Sequence, residues 1–437
     1  MSFAISRRKF VMLGAHAAAV TAASRFLVVE ARGQSEAGKY AEVYRQLDRF
    51  VEQYMRNMNA PGMTLVLADR DGVQRVAVYG FSDLERKTEL KPEELFEIGS
   101  ISKSFIANCL LQLSQEGMLD LHKPVAEYLP WWRIESRFAP ITTHHMLTHT
   151  TGLPGIPPVF LSDPAAKHRA ANAPGEYFHY NNMAFTTLGH LLRTIDGRAL
   201  PDVIRDRVLK PLNMAQTKPV ITLDIRAKTA KNYEAFLGDR PFPRNGRLAE
   251  APAIIMTDAA GCIASTAHDM GLYIQMIANR GAGPKGRLLS EDSFRLFSKA
   301  HIKAEEFGPT ASYGYGIAVD TMEGHTILRH TGGMISFASA LQVDIDAGVG
   351  AFASINAMQG YRPNPPTQFA IQLMRAQTES KTFPAIPELK PADQVKNASE
   401  YAGRYLGADG RKIDLVAHGE KLFLMENGAR APLEPHG

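Results

Sequence analysis

From Tyr40 the apolar residues Tyr40, Val43, Tyr44, Leu47, Phe50, Val51, Tyr54 and Met55 recur every three or four positions, the spacing of one face of an amphipathic helix. Pro61-Gly62 ends that pattern. Residues 63–68 and 73–79 then read as two strands joined by Asp69-Arg70-Asp71-Gly72, a β-hairpin signature. Helical periodicity governs the middle of the chain, at 100–116, 143–150, 183–195, 201–209 and 267–279, broken by Pro130, Gly152–Pro158 and Pro174-Gly175. Strand-like runs return at 315–319, 326–330, 339–343 and 350–355, followed by a helix over 367–376. Strands at both ends around a helical middle predict an α+β fold. One antiparallel sheet, flanked by helices, draws strands from both halves of the chain, a mainly helical region is inserted, and a cleft lies between the two parts.

Beyond Thr382 the composition changes. Prolines at 384, 387 and 391 predict a linker over 383–400. Short alternating runs at 401–405, 412–416 and 421–424 predict a β-rich tail over 401–437. This tail is like the opening of a small lipocalin-like domain, is too short for a closed barrel, and carries no final strand signal. Residues 38–382 form the main domain.

The N-terminus changes the reading of charge. Arg7, Arg8, Lys9 and Arg25 against Glu30 account for +3 of the formal +4, so the remaining body is nearly neutral. A neutral body excludes the electrostatic footprint of a nucleic-acid binder. Ser6-Arg7-Arg8-Lys9-Phe10 followed by a mostly apolar run predicts a twin-arginine-type signal over residues 1–33. No later stretch is apolar enough to span a bilayer, so the expected location is periplasmic or secreted. Cys109 and Cys262 both lie in apolar surroundings and read as small core residues rather than a disulfide, a nucleophile or metal ligands.

Three short motifs carry the chemistry. In Ser100-Ile101-Ser102-Lys103, a helix N-terminus puts Lys103 one turn from Ser100 on the same face. Burial and the positive end of the helix dipole depress the ammonium's proton affinity, and such a Lys activates an otherwise poor serine nucleophile. In Tyr180-Asn181-Asn182, a phenol held near Lys103 is expected to lean toward phenolate and shuttle a proton, and Asn182 offers an amide that both donates and accepts to substrate. In His330-Thr331-Gly332-Gly333, the glycines let substrate lie along a strand edge. The amides of Ser100 and Gly333 would make the oxyanion hole.

These motifs, with Phe96-Glu97-Ile98-Gly99 before Ser100, Met146-Leu147-Thr148-His149-Thr150-Thr151-Gly152-Leu153 and Gly261-Cys262-Ile263-Ala264-Ser265-Thr266, resemble the class C β-lactamase and D-alanyl-D-alanine carboxypeptidase group of serine hydrolases over about residues 40–380. The resemblance implies Ser100 as nucleophile, Lys103 and Tyr180 as its acid/base partners, Asn182, His330, Thr331 and Gly332 as substrate-binding positions, and no cofactor. It implies an acyl-enzyme formed on a small-molecule or peptide substrate. Class C β-lactamases usually carry Lys where this chain has His330, and Ser or Ala where it has Asn181. Both departures favour a peptidase or esterase.

Three other readings stay open: an efficient class C β-lactamase, a catalytically inactive penicillin-binding or cell-wall-binding module, and a metalloenzyme using His145 and His149, one helical turn apart. The oligomeric state is not legible in the sequence.

Overall fold

The computed structural model describes residues 29–30, 38–154, 167–235, 248–358, 362–389, 394–407, 410, 412–426 and 429–433. The signal reading of residues 1–33 falls outside them except at Val29–Glu30, which pairs with Val78 and Ala77 at the sheet edge.

Helix α1 (Ala41–Met58) buries the residues its periodicity marks and ends at Asn59, whose φ of 50° turns the chain. Strands β1 (Gly62–Asp69) and β2 (Gly72–Asp83) follow as a hairpin in which Asp69 pairs with Gly72. The Asp71 N–H donates to Asp69 Oδ1 at 2.9 Å within the turn, the local side-chain bond that favours Asp in tight turns. The helical middle contains α2 (Ser102–Gln115), α3 (Thr143–Leu147), α4 (Asn182–Asp196) and α5 (Ala267–Ala278). The chain returns through β3 (Ala318–Met322), β4 (His325–Met334), β5 (Phe337–Asp344) and β6 (Val349–Ile355), and closes on α6 (Asn364–Thr378).

The sheet is antiparallel, with β2, β1, β6, β5, β4 and β3 in that spatial order, so β1 from the start of the domain pairs with β6 from its end. Its central strands are buried on both faces. Leu65 and Leu67 pack with α1 and α6 on one side, while Val66 and Phe352 pack with the helical region on the other. This two-sided burial explains why β1, β5 and β6 read as nearly continuous apolar runs rather than alternating ones. Helix α2 is buried on almost every side, as expected of a helix at the centre of a core.

Three sequence expectations need correction. The strand expected at 315–319 begins only at Ala318, because the chain doubles back at Gly314, whose N–H donates to Ile317 O. Phe383, Ile386 and Leu389, within the expected linker, lie partly buried against the α1 and α6 layer. The tail does have a last strand, Ala429–Leu433, which completes a four-stranded antiparallel sheet with Lys421–Glu426, Lys412–His418 and Gly403–Leu406. Pro432 within it sits on an outer strand, where a missing N–H is tolerated. No helix among the described residues is long and apolar enough to cross a membrane.

Candidate active site

The turn Gly99–Ile101 carries Ser100 and runs directly into α2. It is held from two sides. Ile98 N–H donates to Ile263 O, and Ile263 N–H donates back to Ser102 Oγ at 3.1 Å. On the other side lies β4. Strand β3 begins at Ala318, opposite Arg329, so from His330 onward β4 pairs along one edge with β5, and the Ser100 turn presses onto it. A Cβ at Gly332 would stand 1.9 Å from Ile98 O, and one at Gly99 would stand 2.8 Å from both N and O of Gly333. The glycine at 332 is therefore required by the protein's own backbone. Gly99 also has φ of 53°, a region that side chains other than Asn and Asp rarely adopt. Gly332→Ala is expected to push the Ser100 turn off β4, destabilise the protein by roughly 1–3 kcal/mol, and slow Ser100 acylation at least ~100-fold. Urea unfolding and adduct formation measure the two effects; an alanine variant with unchanged acylation would contradict this packing argument.

Lys103 is fully buried, and its Nζ lies 3.0 Å from Ser100 Oγ and 2.6 Å from the carbonyl oxygen of Ala260. Burial pulls its proton affinity down to about 7, opposed by Asp258 and Cys262. A neutral amine here donates to Ala260 O and has its lone pair free for the Ser100 hydroxyl. Tyr180 stands on the other side of the Ser100 hydroxyl, hydrogen-bonded to it, with Lys103 Nζ 5.0 Å from the centre of its ring. Its proton affinity moves opposite to the expectation from sequence. Burial, aided by Glu306, raises it well above the ordinary phenol value despite the Ser100 hydrogen bond. Tyr180 is therefore a phenol, because desolvation of the anion outweighs the hydrogen bond with Ser100.

His149 packs beneath Tyr180, with ring centroids 4.3 Å apart. Its Nδ1 accepts the Asn181 N–H at 2.9 Å, which fixes the turn entering α4. Asn181 caps that helix, its side chain accepting from Ala184 N–H at 3.2 Å, a preferred role for Asn. Asn182 is the first helical residue, and its Oδ1 has no hydrogen-bond partner.

His330 is engaged within the protein on both ring nitrogens. Its ring is buried, its Nδ1 lies 2.6 Å from the acceptor Thr331 O, and Tyr313 O–H lies 2.9 Å from its Nε2. Burial and Lys103 drive its proton affinity down to about 3. His330 is neutral, with Nδ1–H donating and Nε2 accepting from Tyr313, and presents neither nitrogen to a ligand. Thr331 is partly exposed and Gly333 is exposed on the same strand end.

His145 and His149 do not converge. The His145 Nδ1 accepts the Thr142 N–H in a capping box, and His149 faces Tyr180. No group of three or more His, Cys, Asp or Glu side chains among the described residues is placed to hold a metal ion. Cys109 and Cys262 are buried and unpaired. Sequence reasoning missed Tyr313, the Ala260 carbonyl and Thr186. The carbonyl has no side-chain signature, and Tyr313 lies far from the motif it supports.

Residues 47–373 match the family described as Beta-lactamase. The chain belongs to the beta-lactamase family of serine hydrolases. It is 24% identical over 378 residues to penicillin-binding protein 4* of Bacillus subtilis, covering 79% of each chain. It is 26% identical over 190 residues to protein flp of Staphylococcus aureus, a match spanning 40% of this chain and 38% of that relative. Among solved structures, the octameric penicillin-binding protein homologue from Pyrococcus abyssi superimposes with a TM-score of 0.69 at 23% identity, covering 90% of this chain and 91% of that one. The hydrolase EstCE1, described as having promiscuous acyltransferase activity, gives 0.62 at 22% identity over 77% of this chain and 98% of its own. These likenesses agree with the antiparallel sheet and helices described above.

Proposed function

We propose that this family member is an exported hydrolase acting through a covalent acyl-enzyme on a D-amino-acid peptide or short ester. The observation that carries this reading is the Lys103 amine 3.0 Å from the Ser100 hydroxyl, with the Tyr180 phenol on the same oxygen. Ser100 Oγ attacks the carbonyl carbon while its proton passes to neutral Lys103. The oxyanion is met by the amides of Ser100 and Gly333. As the intermediate collapses, the leaving group takes a proton relayed through Tyr180 from Lys103. Water then repeats the sequence on the acyl-enzyme and frees Ser100. The unpartnered Oδ1 of Asn182 suits a substrate amide N–H.

The neutral, internally bonded His330 favours peptides and esters over efficient β-lactam hydrolysis, since it offers no fixed cation to a substrate carboxylate. Export rests on the twin-arginine pattern at Arg7-Arg8. A fluorescent phosphonate should add its mass to Ser100. The purified protein should turn over a short aryl ester or a D-alanyl peptide faster than a chromogenic cephalosporin. An unchanged intact mass would instead favour an inactive binding module, and a cephalosporin preference would favour a β-lactamase.

A further inference from the structure

The Ala260 carbonyl that receives Lys103 is itself held by a side chain outside the three motifs. Asp258 Oδ1 accepts the Ala260 N–H at 2.8 Å, and the Asp258 carbonyl accepts the Gly261 N–H at 3.1 Å. Together these bonds fix the 258–261 turn. The same carboxylate is gripped from α4. Thr186 Oγ1 lies 2.8 and 2.6 Å from the two carboxylate oxygens of Asp258, one helical turn beyond Asn182. A continuous chain therefore runs from the helix bearing Asn182, through Thr186 and Asp258, to Ala260 and the Lys103 amine.

We propose that Asp258 is the residue that positions Lys103 and sets its proton affinity, acting through the Ala260 carbonyl and braced by Thr186. This inference rests on the acyl-enzyme reading above.

The charges around the amine support it. Five groups besides Ser100 act on or face Lys103. His149 and His330 are buried and held neutral, and Lys103 is among the causes that lower both. Tyr180 is a phenol. Burial pushes the Cys262 thiol up to about 12. Asp258 supplies the carboxylate, the largest cause opposing the burial of Lys103. On its outer side, Asp258 borders a cavity of about 290 Å³ with His190 and Arg193. There burial and Arg193 lower His190 while Asp258 raises it. A base in a serine hydrolase works best with a proton affinity near the operating pH. Burial alone would carry a Lys below that, and an opposing carboxylate brings it back.

The test is the pH dependence of Ser100 labelling by a fluorescent fluorophosphonate, followed by intact mass. In that step an Oγ–P bond forms, fluoride leaves, and the hydroxyl proton passes to Lys103. Asp258→Asn keeps an acceptor for the Ala260 N–H and removes the charge. Its labelling midpoint is expected to move at least about half a pH unit toward acid, with a several-fold lower plateau because the amine is a weaker base. Asp258→Glu, which keeps the charge, should hold the wild-type midpoint. Thr186→Val should lower the plateau without moving the midpoint, as a purely structural effect would. If the asparagine variant does not fold, Asp258→Ser carries the same test, since its hydroxyl can still accept from Ala260. A charge-removing variant that folds and keeps the wild-type midpoint would overturn the assignment of Asp258. A wild-type protein that takes no label at Ser100 would overturn the acyl-enzyme reading itself, and this inference with it.

Discussion

Replacing Ser100 with alanine is expected to reduce turnover of every substrate by at least ~10⁴-fold, the scale seen when a nucleophile is removed from a set of residues acting as a unit. The fold should be untouched. Ser100 Oγ is bonded to Lys103 and Tyr180, but neither Gly99 packing on β4 nor the Ile98 and Ile263 bonds involves the hydroxyl. Circular dichroism and the melting temperature should therefore match the wild type within a degree or two, while phosphonate labelling disappears. Residual labelling at another residue, or wild-type turnover, would place the nucleophile elsewhere.

Replacing Lys103 with methionine is expected to move activity and stability in opposite directions. Activity should fall by orders of magnitude, because no other side chain among those described around Ser100 is a base near neutrality. Tyr180 is held as a phenol and His330 is bonded internally. Stability should rise. The unfolded chain leaves this amine with its ordinary proton affinity, near 10.5, whereas burial brings it to about 7 in the folded state. Between those values the unfolded state holds more protons. The wild type is thus penalised by the full difference below pH 7, and the penalty fades as pH rises toward 10.5. Methionine has similar length and no charge. It should gain on the order of 1–3 kcal/mol at pH 7, after allowing for the Ala260 carbonyl left without its donor. Urea midpoints of the two proteins should converge as pH is raised to 9. A variant less stable than wild type at both pH values would show that the amine's hydrogen bonds outweigh its desolvation.

The fold and the convergence of Ser100, Lys103 and Tyr180 were legible in the sequence for different reasons. Helix α1 and the β1–β2 hairpin are local, and periodicity with turn chemistry located both closely. The motif residues were legible because a serine, an amine and a phenol in this order match the family's motifs, and the fold brings the three together. Their electrostatic states were legible only in part: the depressed proton affinity of Lys103 was expected and is found. The expectation for Tyr180 failed because its state depends on burial and on Glu306, distant in sequence. Gly332 has a neighbour within the protein that the motif does not reveal. Only three-dimensional contact reveals that Ile98 O fills the space where its side chain would be. The last tail strand escaped notice because Pro432 breaks the usual strand composition.

The pairing of β1 with β6 has a consequence for how the chain acquires its structure. Met63 lies beside Ile355, about 290 residues later, so the first hairpin waits for nearly the whole domain to be made before its exposed edge is covered. Such distant pairings are slow to form. A nascent chain stopped before Val349 would expose an apolar strand on each side of a missing neighbour, an invitation to aggregate. Cutting the gene in the middle should therefore yield two insoluble fragments rather than two independent folding units. Co-expressing the halves is the condition under which soluble protein should return.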